Sequence, residues 1–266
     1  MKNYKGKVVW ITGATSGIGE AIAKEFAKAN ATLIISSRSK EDLNKTALLC
    51  NDLGCPECHT EAFDLSNVES TTQAISNVLA KYPTIDILVN NGGLSQRSLV
   101  EETPIELDRY IMEADYFSNI RLTKAVLPAM VAQGQGQILV TSSISGLFGF
   151  PMRSAYSAAK HALHGFYETT RAELERKGIK VTIACPGRVK TNVSLRAMTK
   201  DSTPHGKMDA GQAGGISAEK CAKKMICALE HNKKEVLVGG KELIMVYIRR
   251  FLPCLFYKLA SKINPT

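Results

Sequence analysis

The sequence has no hydrophobic stretch long enough to cross a membrane and no apolar signal core near its start. Residues 1–7 are polar and basic, and a strand-like run follows at once. Neither a secretory leader nor a spanning helix is expected. An even set of cysteines is also missing. Cys50, Cys55, Cys58, Cys185, Cys221, Cys227 and Cys254 make seven, which with no leader argues for a reducing, cytoplasmic setting. No internal repeat or linker divides the 266 residues, and a chain of that length can bury one core. Nor is there a dense basic run. The net charge is +9, from 34 Lys and Arg against 25 Asp and Glu, but the cations are spread along the chain. A nucleic-acid partner is therefore not expected, whereas a phosphate-rich cofactor or an anionic surface fits the excess.

What is present is a strict alternation. Short apolar runs at 8–11, 32–36, 59–64, 85–89, 137–142, 181–184 and 235–238 read as strands. Helical spacing fills 19–29, 41–50, 68–81, 104–130, 155–177 and 218–230. The expected fold class is α/β, a single Rossmann-type doubly wound parallel sheet with helices on both faces. Residues 1–241 would form the dinucleotide-binding catalytic domain, and 242–266 an apolar and basic tail of the same domain. Residues 192–215 are rich in Ser, Thr, Gly and Asp, and too long for an ordinary connection. They are expected to form a lid or binding loop.

Between the first strand and first helix stands Thr12-Gly13-Ala14-Thr15-Ser16-Gly17-Ile18-Gly19. Glycines there let the backbone turn tightly and approach a pyrophosphate at a helix N-terminus. Taken alone, such a turn is equally a tight strand-to-helix connection. The second strand ends in Ser36-Ser37-Arg38, with no acidic residue to hold a ribose 2′-hydroxyl. A guanidinium at Arg38 can instead pair with a 2′-phosphate, so NADP is expected over NAD.

Tyr156 and Lys160 lie four residues apart on one helical face. A free phenol holds its proton to about pH 10, and a neighbouring cation favours the phenolate. That pairing makes a workable general acid or base for a carbonyl–alcohol interconversion. Ser143 closes the fifth strand, where its hydroxyl could steady a substrate oxygen.

The Gly-rich turn, Asn90-Asn91-Gly92-Gly93, Ser143, the Tyr156/Lys160 pair and Pro186-Gly187 follow the order and spacing of the short-chain dehydrogenase/reductase family. The resemblance runs from about Lys7 to the last strand, and is greatest to the branch of carbonyl reductases and hydroxysteroid dehydrogenases. It implies an oxidoreductase acting on a carbonyl or alcohol, with Ser143, Tyr156 and Lys160 catalytic. It further implies that Asp64 and Leu65 meet the adenine and that Asn91 lies beside the adenosine half. Lys160 would also hold the nicotinamide ribose, and Val189 and Thr191 the carboxamide. The helices within 107–130 and 155–177 resemble those that pair subunits, implying a homo-oligomer. One position departs: where the family usually has an asparagine holding a water that links the lysine to solvent, this sequence has Asp115, which could accept from that water or pair with Lys160. Asn119, one turn on, is the alternative for that role.

Other features are expected to be bland. Cys55-Pro56-Glu57-Cys58-His59 matches a haem or zinc string, but only one such string occurs, in a connection, so no metal is expected. His161 and His164 are expected to pack their helix, and Phe166 and Tyr167 to lie in the core. The tail carries Arg249, Arg250 and Pro253 inside an apolar stretch. It could lie at a lipid surface, or cover the substrate loop or a second subunit. The second functional reading is a regulatory protein that keeps cofactor and fold but little turnover.

Overall fold

The computed structural model describes residues 4–260; the last part of the tail, 261–266, lies outside the described residues. The strands are β1 (Val8–Thr12), β2 (Thr32–Ser37), β3 (Cys58–Ala62), β4 (Ile87–Asn90), β5 (Gly136–Thr141) and β6 (Ile179–Pro186). Two-residue strands β7 (Val189–Lys190) and β8 (Ile216–Ser217) and a last strand β9 (Glu235–Val238) follow. The helices are α1 (Gly17–Lys28), α2 (Lys40–Asp52), α3 (Val68–Lys81), α4 (Ile105–Met112), α5 (Ser118–Gln133) and α6 (Ser154–Leu174). After them come α7 (Ala210–Ala213), α8 (Ala218–Glu230), α9 (Ile244–Phe251) and α10 (Pro253–Ala260).

Seven strands form one sheet in the order β3-β2-β1-β4-β5-β6-β9, every pair parallel. The central strands are apolar on both faces because both faces are covered. The pleat sends Val9, Ile11, Leu33, Ile35 and Leu139 to a layer with Phe26, Leu43, Met225 and Leu229 of α1, α2 and α8. It sends Trp10, Ile34, Leu88, Ile138 and Val181 to the opposite layer with Val78, Leu122, Leu163 and Tyr167 of α3, α5 and α6. Trp10 is fully buried, and its indole N–H donates to Ser36 Oγ at 2.9 Å, so its one polar atom is satisfied.

Several local expectations change. Of the one or two helices expected over 104–130, two are present, and the π-helical turn that joins them, Glu113–Phe117, adds a residue to the ladder at Asp115. Strand β6 extends to Pro186, and the β7–β8 pair was not foreseen, because two-residue strands carry no periodicity. The tail folds into α9 and α10. Pro253 stands at the first position of α10, where its missing N–H costs nothing. Phe256 anchors that helix against Phe148, with ring centroids 5.2 Å apart. His161 is exposed rather than packed, while His164 and Tyr167 are buried. Among the described residues no helix is long and apolar enough to cross a membrane.

Candidate active site

Strand order reverses between β1 and β4, the switch point at which open α/β sheets bind ligands. A cleft of about 920 Å³ opens there, along the carboxyl ends of the strands. Gly13, Thr15, Ser16, Gly17, Ile18, Arg38, Asp64, Leu65, Asn91, Asp115, Ser143, Tyr156, Lys160, Val189 and Thr191 all line it. Gly19 is set behind them, where any Cβ would collide with the Gly13 carbonyl.

The first part of the cleft is lined by the Gly-rich turn and the first residues of α1. Gly13 has φ +65°, and a Cβ there would stand 2.8 Å from Gly92 Cα, so only glycine lets the two loops touch. Helices α2, α3 and α8 each begin with a side chain, Ser39, Asn67 and Ser217, that accepts from a first-turn N–H. Ser16 occupies the same position on α1 but makes no such bond. The amides of that turn, like those of α4, have no N-cap side chain on them, and here they border the cleft at the positive end of the helix dipole. Thr15 is tied to Ser37 at 2.9 Å, joining the turn to the end of β2, and exposed Arg38 follows. Asp64 accepts from Ser66 N and Oγ at 2.9 and 2.7 Å, closing a turn that presents Leu65 to the cleft. Asn91 donates to Thr12 O at 3.2 Å and accepts from Thr141 Oγ1 at 3.2 Å, bridging β1 and β5.

The second part gathers ionisable and hydroxyl groups. Lys160 Nζ lies 5.6 Å from the Tyr156 ring centre, donates to Thr141 O at 3.2 Å and meets Asp115 Oδ2 at 3.2 Å. Asp115 also accepts from Leu94 N–H at 2.6 Å. Both charges are buried, so each needs the other. Burial works against the Lys160 ammonium, but Asp115 and Tyr156 outweigh it and hold its pKa above the ordinary lysine value. Burial pushes the Asp115 carboxyl up, with Lys160 and the Leu94 amide opposing. Asn119, the other candidate for this place, is occupied elsewhere: its amide donates to the Asp115 backbone carbonyl at 2.7 Å. Ser143 accepts from Ser145 N–H at 3.1 Å and donates to Pro186 O across a long 3.4 Å, a proton easily redirected to a ligand.

A family model for short-chain dehydrogenases matches residues 7–202. The chain belongs to the short-chain dehydrogenase family. It is 40% identical over 262 residues to dehydrogenase/reductase SDR family member 7B of Xenopus laevis, covering 96% of this chain and 80% of that one. It is 38% identical over 261 residues to an SDR family protein 7-like dehydrogenase/reductase of Drosophila melanogaster, covering 97% and 80%. Among solved structures, a short-chain dehydrogenase from Streptomyces avermitilis superposes with TM-score 0.81 at 30% identity, over 98% of this chain and 97% of that one. An alcohol dehydrogenase from Thermococcus sibiricus, complexed with 5-hydroxy-NADP, gives TM-score 0.74 at 28% identity, over 88% and 97%. This short-chain dehydrogenase is thus an oxidoreductase of a family that uses nicotinamide cofactors.

The structure of this short-chain dehydrogenase adds residues that sequence reasoning missed. Gln96 is fully buried, and its Oε1 accepts from the N–H groups of Ala155 (2.9 Å) and Tyr156 (3.4 Å). Its amide donates to Ser98, Thr103 and Ser154. It therefore caps α6 from outside and fixes the turn that carries Tyr156. Replacing Gln96 by Leu should cost about 1–3 kcal/mol, because the α6 amides lose their buried acceptor. It should also lower kcat more than it raises cofactor KM, since a misplacement of about 1 Å can cost ~100-fold. Urea unfolding and steady-state kinetics measure both, and Gln96→Glu, which keeps the acceptor, should recover part of each. Wild-type kcat in the leucine variant would refute the positioning role. A second missed group is the buried pair Arg97–Asp209, which fastens the 192–215 loop to the segment after β4, with Arg153 also on Asp209 at 3.3 Å. Those partners lie 112 residues apart, so no local pattern announces them. The loop is pinned rather than free: Met198 N–H donates to Ser95 O and Arg97 N–H to Met198 O, each at 2.8 Å.

Proposed function

We propose that the chain is an NADP-dependent oxidoreductase that interconverts a small carbonyl compound and its alcohol, with Tyr156 as general acid and base. The convergence of Ser143, Tyr156 and Lys160 on one cleft beside the uncapped start of α1 carries this reading. The residues present fit the cofactor: the open first turn of α1 suits its pyrophosphate, and Arg38 its 2′-phosphate. Asp64, Leu65 and Asn91 suit the adenosine half, and Val189 and Thr191 the carboxamide. When bound, the nicotinamide supplies or accepts the hydride.

The chain's own residues handle the proton and the developing charge. Tyr156 gives its hydroxyl proton to the substrate oxygen in reduction and takes it back in oxidation. Lys160, held charged by Asp115, steadies the phenolate left behind. Ser143 turns its hydroxyl from Pro186 O to the substrate oxygen. The wall formed by Phe148, Phe150 and Met245 keeps water from that end of the cleft. NADP preference favours the reductive direction. A homo-oligomer built on the α4–α5 and α6 surfaces belongs to the same reading. Contact of the α9–α10 tail with a lipid surface would follow from its exposed Tyr247, Phe251 and Leu252 beside Arg249 and Arg250.

Oxidation of reduced nicotinamide, followed by absorbance with a panel of ketones and aldehydes, tests the reading. Turnover with none of them, despite measurable cofactor binding, would favour the regulatory alternative. Arg38→Ala tests the cofactor assignment. Loss of one charge-assisted contact, about 1.5–3 kcal/mol, should weaken NADP roughly 10- to 100-fold and leave NAD almost unchanged. Equal losses for both cofactors would remove the 2′-phosphate from the argument.

A further inference from the structure

One helical turn beyond Lys160 lies a buried imidazole that the chemistry above does not use. His164 points Nε2 at Ser142 Oγ (3.0 Å) and Cys185 Sγ (3.7 Å). Its Nδ1 faces two carboxylates, Glu235 Oε2 at 3.7 Å and Glu168 Oε1 at 3.8 Å. Three elements meet here: α6 brings His164 and Glu168, β6 brings Cys185, and the neighbouring β9 opens with Glu235. One ligand atom each from His164, Cys185 and Glu235 lies within 4.8 Å of the other two. None of the three lines the cleft.

As a packing arrangement this group is poorly satisfied. The carboxylate contacts are too long for hydrogen bonds, and Nε2 meets only Ser142 Oγ and the Cys185 sulfur. Two carboxylates, an imidazole and a thiol therefore share one corner. The neighbouring Arg171 gives Nε and Nη2 to the carbonyls of Val181 and Lys234, and acts on Glu168 and Glu235 through space.

We propose that His164, Cys185 and Glu235 form a site for a borderline-soft divalent cation such as Zn²⁺. Imidazole, thiolate and carboxylate are the donors that zinc prefers, at about 2.0, 2.3 and 2.1 Å. Those bond lengths place tetrahedral neighbours roughly 3.3–3.6 Å apart. The nitrogen–sulfur pair, 3.7 Å apart, is nearly there; the Glu235 side chain, 42% exposed and now beside Nδ1, would swing to the Nε2 side from within the 4.8 Å that spans the three ligand atoms. Metal on Nε2, displacing Ser142 Oγ, would leave the ring proton on Nδ1, and Glu168, now 3.8 Å away, would close in to accept it, the carboxylate–histidine–metal relation that fixes ring and tautomer. Burial and the two glutamates keep the free Cys185 thiol protonated. On binding, that proton leaves to solvent, the thiolate sulfur forms its bond to the cation, and water fills the fourth position. The ion would tie β9 and α6 to β6.

Co²⁺ titration of the reduced full-length protein tests this, read by the thiolate-to-cobalt charge-transfer band and tetrahedral d–d absorption. One equivalent should bind, and Zn²⁺ should displace it. The titration is run in a Cys227→Ser background, because Cys227 and His231 form an exposed pair at 3.6 Å that could also hold cobalt. Cys185→Ser should abolish the charge-transfer band. Glu235→Gln, a change at an exposed side chain, should weaken binding 10- to 100-fold while leaving carbonyl turnover unchanged. Absence of the band at millimolar Co²⁺, or undiminished affinity in Glu235→Gln, would overturn the proposal. If Cys185→Ser fails to fold, Glu235→Gln still decides.

Discussion

Tyr156→Phe should lower kcat by about 10²- to 10⁴-fold while leaving cofactor affinity close to that of the unaltered protein. The magnitude is that of a positioned general acid, the one function the phenylalanine ring cannot perform. The ring itself is half-buried against Leu107, Ile111 and Ala155, and phenylalanine preserves that packing, so folding should survive. Among the described residues no hydrogen bond of the Tyr156 hydroxyl to another side chain is seen, and the Lys160 ammonium keeps Thr141 O and Asp115 in the variant. Single-turnover rates with saturating reduced nicotinamide cofactor, together with a binding titration, separate the two effects. A variant with more than about a tenth of normal kcat would move the proton donor elsewhere. A variant that also fails to bind cofactor would show that the hydroxyl mainly holds the nicotinamide ribose.

Tyr156 and Lys160 stand out in the sequence because the feature that marks them is local: they are one turn apart on the same helix. The Gly13–Gly19 turn is likewise a contiguous feature, and unbroken apolar strands betray a sheet covered on both faces. What stayed hidden depends on contacts between distant segments. Gln96 reaches α6 from a loop, and Arg97 meets Asp209 across more than a hundred positions. The π-helical turn at Asp115 has no compositional mark, since one extra residue in a helix changes neither residue type nor hydrophobic count. The tail looked ambiguous because Arg249, Arg250 and Pro253 interrupt it. Its two helices become intelligible only once Phe256 is seen against Phe148 and Arg249 over Phe256 and Tyr257.

Asp115 carries the other large effect, and its sign is distinctive. Asp115→Ala should destabilise the protein by about 3–5 kcal/mol, because Lys160 would remain buried without its counter-charge. Asp115→Asn should cost less, since an amide oxygen can still accept the Leu94 N–H. In the unaltered protein the Lys160 pKa is raised, so its contribution to stability is complete below the ordinary lysine value, about 10.4. That contribution is lost as pH rises through the higher folded value. The Asp115 carboxyl is raised by burial, so its own contribution likewise falls with rising pH, from the ordinary carboxylate range upward. Neither group makes the unaltered protein more stable as the solution becomes alkaline. In Asp115→Asn the burial of Lys160 is opposed by Tyr156 alone, and its folded pKa should drop below the unfolded one. The unfolded chain then binds more protons between those two values, and stability rises with pH there. The stability gap between the two proteins should therefore narrow as pH climbs from neutrality towards about 10.4, measured by urea unfolding at a series of pH values. Turnover should persist at neutral pH, with its alkaline limb moved to lower pH, because Lys160 loses its proton sooner. A gap that stays constant across that window would mean that Lys160 is held charged by something other than Asp115.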